Sequence, residues 1–266
     1  METIGYAASL VMGLSLGLIG GGGSILTVPI LVYLFAIHPV LATAYSLFIV
    51  GLTALVGGIG YLKKGEVDLK TGFLFAVPSF IGVYATRAFV LPRVPDHIFT
   101  LGSWSVTKPL LIMIVFAVLM VLASISMIRG RKPKADAKPL SAAAKVGLIG
   151  LEGLVVGTIT GFVGAGGGFL IIPALVVLVG LPMKKAVGTS LFIIAAKSLI
   201  GFTGDLQHQV TIDWQLLLII SGIAVVGLAG GMLFSRKLSE AALKKGFGYF
   251  VLIMGVFVLG DQISKL

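Results

Sequence analysis

The chain has 266 residues, of which 58% are hydrophobic and 11% charged, and its mean hydropathy is +1.12. Soluble domains carry about 25% charged residues, so the composition excludes a soluble globular domain and indicates a helical protein that crosses the bilayer repeatedly. The net charge of +10 comes from Lys and Arg gathered in short loops, a pattern of membrane orientation and not of nucleic-acid binding, and the absence of cysteine excludes disulfides and thiolate-held metals.

Eight hydrophobic segments follow in chain order, at about 3–36, 39–62, 69–91, 108–128, 142–181, 184–204, 213–235 and 242–262. The first and fifth far exceed the ~20 residues one crossing needs. The first lacks a basic leader, so we read it as a membrane segment and not as a cleaved signal peptide. Each long segment carries a glycine run in its middle: Gly17-Leu18-Ile19-Gly20-Gly21-Gly22-Gly23-Ser24 through Pro29, and Gly161-Phe162-Val163-Gly164-Ala165-Gly166-Gly167-Gly168 through Pro173. The two runs lie 144 residues apart. Residues 13–60 laid without gaps over 157–204 give 18 identities in 48 positions, with glycines and prolines in register, so the chain is a tandem duplication. We divide it into a first transmembrane repeat (1–128), a basic linker (129–141) and a second repeat (142–266).

Glycine tolerates positive φ and breaks helices. A broken helix leaves backbone N–H and C=O groups that lipid cannot satisfy, so each run should be buried in protein or line a wet cavity. Each long segment is then one broken helix or a re-entrant pair. Loop charge favours the second, because basic loops face the cytoplasm. With the linker (Arg129, Arg131, Lys132, Lys134, Lys138 and on to Lys145) inside, a single crossing by the fifth segment would place Lys184, Lys185, Arg236, Lys237, Lys244 and Lys245 outside. A hairpin that returns to its own side puts them inside, with both chain ends outside. The expected fold is therefore an all-α polytopic membrane protein of two inverted-topology repeats, each a Gly-broken re-entrant hairpin plus three transmembrane helices.

Inverted repeats with discontinuous helices are the architecture of secondary transporters, and helix N-termini attract anions. The segments after the breaks are expected to start at Ser24 and Gly168. Gly20, Gly21, Gly22, Gly23 and Ser24, with Gly164, Gly166, Gly167 and Gly168, are thus candidate anion-binding positions. The alternative for such glycines is close helix packing, which suits Gly13/Gly17, Gly157/Gly161 and Gly227/Gly231. Lys197 lies deep in the sixth segment and marks a cationic anchor, unless it is interfacial or paired with Glu152. Its repeat mate is Thr53. Ser46, Ser190 and Thr189 stand one to two turns earlier and are candidate hydroxyl donors, with intrahelical bonds as the alternative. Glu152 is a candidate proton-coupling carboxylate or a salt-bridge partner. Arg87 is expected to snorkel outward, and Asp205 and Asp213 to be solvated or to cap helices. His38, His97 and His208 fall in loops without metal-ligand spacing, so no metal or other cofactor is expected. No nucleotide loop or activated nucleophile is present, which argues against an enzyme.

The motif pair resembles the sulfite exporter TauE/SafE family over essentially the whole chain. It does so in the two G-x-x-G-x-G-G-G-type elements, in Ala186-Val187-Gly188-Thr189-Ser190-Leu191, in Gly204-Asp205 and in Ile212-Asp213-Trp214. The first half departs at Ala42-Thr43-Ala44-Tyr45-Ser46, which lacks the Gly-Thr pair. The resemblance implies export, or in some members uptake, of sulfite and related organosulfonates, and with the loop charges it leads us to expect a multi-pass protein of the inner cell membrane, in contact with the lipid bilayer, with the basic linker in the cytoplasm. A passive anion channel, an uptake permease for another small anion, and an intramembrane enzyme or scaffold are the alternatives.

Overall fold

A computed structural model describes residues 2–101, 104–129, 142–207, 212–234 and 240–264. Helix α1 (Glu2–Ile19) runs to the glycine break, and the chain returns as α2 (21–34). The return is shown by Phe35, whose ring packs on Tyr6 at 5.3 Å and occupies the space beside Gly5. The arm begins at Gly21 and not at Ser24. Gly20 already reverses the chain at φ +74, and Ser24 is drawn into a 3-10 turn by its bond to the Gly21 carbonyl. Then come α3 (Pro39–Lys63), α4 (Leu69–Arg93) and α5 (Lys108–Arg129).

The second half repeats the order with α6 (Ala142–Val163), the return arm α7 (168–179), α8 (Met183–Leu206), α9 (Trp214–Phe234) and α10 (Glu240–Ser264). The basic linker beyond Arg129, together with His208, Arg236 and Lys237, lies outside the described residues. One element was not expected. Strands β1 (His97–Leu101) and β2 (Trp104–Thr107) pair antiparallel between α4 and α5. His97 is therefore a strand residue, with Nε2 3.0 Å from Thr100 Oγ1. The aromatic and β-branched residues Ile98, Phe99, Thr100 and Val106 favour that conformation.

Among the described residues six helices are long and apolar enough to cross a membrane: α3, α4, α5, α8, α9 and the Val146–Val163 part of α6. Every long helix exposes large apolar side chains, such as Leu122, Leu151, Val226 and Ile253. In water such a surface would aggregate, and in lipid it is the matched solvent. The protein is an all-α polytopic membrane protein. α3 and α8 are its inner helices, with 67% and 72% of their apolar windows buried.

Contacts between the halves come in exchanged pairs. α1 packs on α9, and α6 packs on α4. Both seams are glycine seams. Gly13 and Gly17 lie on the backbone of Ala224 and Leu228, and Gly157 and Gly161 on that of Ser79 and Val83. Gly227 meets Leu10 while Gly82 meets Leu154. Without side chains at these points the backbones approach within van der Waals contact, the small-residue packing of membrane helices. The hydrogen bonds exchange likewise. Asp68 N–H donates to Thr189 Oγ1 at 2.9 Å, and Asp213 N–H donates to Tyr45 Oη at 2.6 Å. Each aspartate also caps its own helix, Asp68 accepting from Thr71 N–H and Asp213 from Leu216 N–H, both at 2.9 Å. The offset between halves is 144 residues through Gly60/Gly204 and 145 from Asp68/Asp213 onward, the loop between having one more residue in the second half.

These contacts also sort the helix ends. The ends of α2, α4, α8 and α10 meet the starts of α3 and α9, through Tyr33 with Asp261 and Gln262, Tyr45 with Asp213, and Tyr84 with Gln207. The end of α3 and start of α4 meet the start of α8, through Glu66 and Tyr61 against Gly188, and the end of α5 meets the start of α10 at Gly248. Lys63, Lys64, Lys70, Arg129, Lys184, Lys185 and Lys245 belong to this second set of ends.

Candidate functional site

The two glycine breaks meet tip to tip. A Cβ on Gly21 would fall onto the Gly168 backbone, and one on Gly168 onto Gly21. Gly164, Gly166 and Gly167 join Gly20 at positive φ, at +72, +44, +73 and +74. Side chains rarely adopt that conformation, which is why glycine occupies these corners. Ser24 is fully buried, and its hydroxyl lies 2.7 Å from the Gly21 carbonyl and 3.2 Å from the Ala165 carbonyl, a bond between the tips. The exchange of contacts holds here too: Gly20 rests on Val187, and Gly164 on Thr43. Beyond the tip, Leu170 and Ile171 donate to the Gly167 carbonyl, opening α7 from Gly168 as expected.

Lys197 stands at the second tip. It is fully buried, and its Nζ donates to Thr160 Oγ1 at 2.6 Å. A Cβ on Gly167 would come within 2.8 Å of that nitrogen. Among the described residues no carboxylate lies within ion-pair distance, and the salt bridges there join Arg87 to Asp205 and Lys108 to Asp96. An ammonium has three N–H donors, and Thr160 takes one. Glu152 does not reach it. It is half-buried on α6, eight residues before Thr160, or about 12 Å along the helix.

The hydroxyls divide. Ser190 donates to the Val187 carbonyl at 2.8 Å and Thr53 to Ile49 at 2.6 Å, both within their own helices. Thr189 accepts the Asp68 bond near the start of α8. The fully buried Ser46 and Ser198 hydroxyls, and that of Thr27 in α2, have no partner among the described residues.

Two expectations are overturned by a cluster the sequence reading missed. Arg87 does not snorkel. It is 1% exposed, and its Nη1 donates to Asp205 Oδ1 at 3.2 Å and to Thr43 Oγ1 at 3.0 Å. Asp205 is accordingly buried and ion-paired, not solvated. Gly204 permits this, because α4 crosses so closely that a Cβ there would lie 3.0 Å from Arg87 Cβ, which turns the guanidinium inward. Thr160 was missed as well. The signal available was asymmetry between repeats: the positions equivalent to Arg87, Asp205 and Thr160 hold Met232, Tyr61 and Leu16.

Comparison with known proteins agrees with this architecture. Residues 6–258 match the family described as sulfite exporter TauE/SafE. A "Probable membrane transporter protein" of Xylella fastidiosa (strain 9a5c) is 29% identical over 96% of this chain and 94% of its own length. The "Probable membrane transporter protein YunE" of Bacillus subtilis (strain 168) is 28% identical over 97% of this chain and 98% of its own. No solved structure matches the chain. With the match spanning nearly its whole length, the chain belongs to the sulfite exporter TauE/SafE family of membrane transporters.

Proposed function

We propose that the protein is a secondary transporter that exports a small sulfur oxyanion, sulfite or an organosulfonate, held where the two hairpin tips meet. The observation that carries this reading is Lys197, a fully buried ammonium beside the second glycine break with no carboxylate paired to it among the described residues. A buried cation without a counter-ion is costly, and an anionic substrate removes that cost. The family description supplies the sulfur chemistry.

In this reading the anion lies between Gly20–Ser24 and Gly164–Gly168. Backbone N–H groups there and the Lys197 ammonium hold it, and Ser46 can join without giving up a bond, since its hydroxyl has no hydrogen-bond partner among the described residues. Thr53, Thr189 and Ser190 would have to give up their present bonds to take part. The two repeats run in opposite directions across the membrane, and rocking one against the other gives alternating access. The returning hairpins and the gathering of basic helix ends in one set support this, and that set then faces the cytoplasm, the transporter standing in the inner cell membrane. Glu152 would couple proton movement without touching the anion. Transport that keeps its proton dependence in Glu152→Gln removes it from that role.

The test is thermal stabilisation of the purified protein by sulfite, thiosulfate, sulfoacetate, sulfate, phosphate and acetate, in wild type and Lys197→Ala. A ligand at 100 times its Kd adds about 2.7 kcal/mol. Selective stabilisation by sulfur oxyanions, lost in the variant, is expected. Stabilisation by acetate or phosphate in preference would overturn the substrate class, and stabilisation unaltered in the variant would remove Lys197 from the site.

A further inference from the structure

Arg87 is held by one of its edges and bare on the other. Nη1 carries both bonds, to Asp205 and Thr43, while Nε and Nη2 are buried without a hydrogen-bond partner among the described residues. Those two atoms are not an arbitrary remainder. Nε–H and one Nη2–H point in parallel along one side of the planar guanidinium, and together they take two oxygens of a single carboxylate, sulfonate or phosphate centre. Two buried donors left without acceptors are costly. The repeat-related position holds Met232 beside Gly60, as Arg87 lies beside Gly204, so the packing there does not require a guanidinium.

The position matters as much as the edge. Thr43, which holds Nη1, lies against Gly164, where a Cβ would come within 2.5 Å of its Cα and Cβ, so the cluster abuts the start of the second glycine break. Asp205 is eight residues beyond Lys197 on α8, about 12 Å along the axis. The cluster therefore lies between the tips and the set of helix ends formed by α4 and α8, at a distance that separates it from the Lys197 ammonium.

We propose that the Nε/Nη2 edge of Arg87 is a second oxyanion station, distinct from Lys197, which the substrate occupies between the hairpin tips and the α4–α8 end of the molecule. The ligand class is an anion with two oxygens on one centre. Thr43 and Asp205 are positioning residues that fix the plane of the guanidinium. Asp205 also shares its positive charge, so an arriving anion competes with the carboxylate and is bound weakly. A station on a transport path has to release what it takes. The proposal rests on the reading of the protein as an oxyanion transporter.

Selenate tests it without any variant. It is a tetrahedral oxyanion, and its selenium marks its own position by anomalous scattering in crystals of the full chain. A peak within hydrogen-bond distance of Nε and Nη2, separate from one at the tips, is expected. A peak at the tips alone at saturating selenate overturns the second station. Peaks at neither place overturn the transport reading along with it. Calorimetric titration with sulfite supplies the second arm. Arg87→Lys keeps a cation for Asp205 and loses the fork, so it should weaken the weaker of two sulfite sites about tenfold and leave the other unchanged, whereas Lys197→Ala should do the reverse. Titration of Arg87→Lys that matches wild type at both sites overturns the proposal.

Discussion

At the first hairpin Gly20 rests on Val187, and at the second Gly164 rests on Thr43. The seams, the capping aspartates and the tip contacts repeat in this way from half to half, yet the chemistry does not. Lys197 answers to Thr53, Thr160 to Leu16, Arg87 to Met232, and Asp205 to Tyr61. The scaffold has two equivalent sides, and buried charge stands on one of them. The difference separates what the fold needs from what it does not. If a buried ammonium or guanidinium were required to hold these helices together, the surroundings of the first hairpin would need one too. They manage with a threonine and a methionine, in line with the general finding that well-packed apolar groups replace buried ion pairs without loss. Under the proposed function the charges beside the second hairpin serve the substrate, and the glycines serve the architecture.

The largest effect that would test this division is at the ion pair. Asp205→Leu leaves the Arg87 guanidinium buried without its carboxylate, and should cost about 3–5 kcal/mol in detergent unfolding. The double variant Arg87→Met, Asp205→Leu makes the cluster resemble its counterpart and should recover most of that loss. A double variant as unstable as the single one would show that the pair is structural. Next in size is Lys197→Met. Removal of an uncompensated buried cation should leave the unliganded protein at least as stable as wild type, while the ~2.7 kcal/mol that a sulfur oxyanion adds at 100 times its Kd disappears. A variant that is destabilised without ligand would place Lys197 in the scaffold.

How far the chain itself disclosed this follows the same line. Its repeat, its two glycine breaks and its helix order were legible because they rest on periodic features: apolar runs of spanning length, and glycines and prolines in register over 144 residues. Lys197 was legible because a lone charge deep in an apolar run has no bland explanation. Arg87 and Asp205 were not, because each stands within a turn or two of a helix end, where snorkelling or solvation is the ordinary outcome. Only the approach of α4 to Gly204 turns both inward, into a bond between residues 118 positions apart in the chain. Ser24 was legible as part of the first glycine break but not as a bond between the tips, since that needs Ala165 across the interface. The β1–β2 hairpin was hidden by its brevity in a chain otherwise helical.

At the tips the comparison turns on space. Gly21→Val pushes a branched side chain onto the Gly168 backbone, and overpacking of this kind costs about 1–3 kcal/mol. Sulfite-induced stabilisation should fall with it, because the two tips can no longer close on one anion. Full stabilisation by sulfite in a folded Gly21→Val protein would mean that the anion does not lie between the tips.

The smallest effect concerns positions where the halves agree. Asp68 and Asp213 cap α4 and α9, each by accepting from the N–H three residues on, and each backbone N–H reaches a hydroxyl of the opposite half, Thr189 or Tyr45. Loss of a capping side chain costs about 0.5–2 kcal/mol. Asp68→Ala and Asp213→Ala should therefore destabilise by similar amounts, since the backbone donors to Thr189 and Tyr45 remain. Neither should alter the affinity for sulfite, because both caps stand at helix ends, away from Lys197 and the tips. Equal costs with unaltered binding would place symmetric contacts in the scaffold alone. A marked inequality, or a loss of binding in Asp68→Ala through Thr189, would show that the second half's Thr189 serves substrate as well as fold, and that the division between symmetric scaffold and one-sided chemistry is drawn one residue too simply.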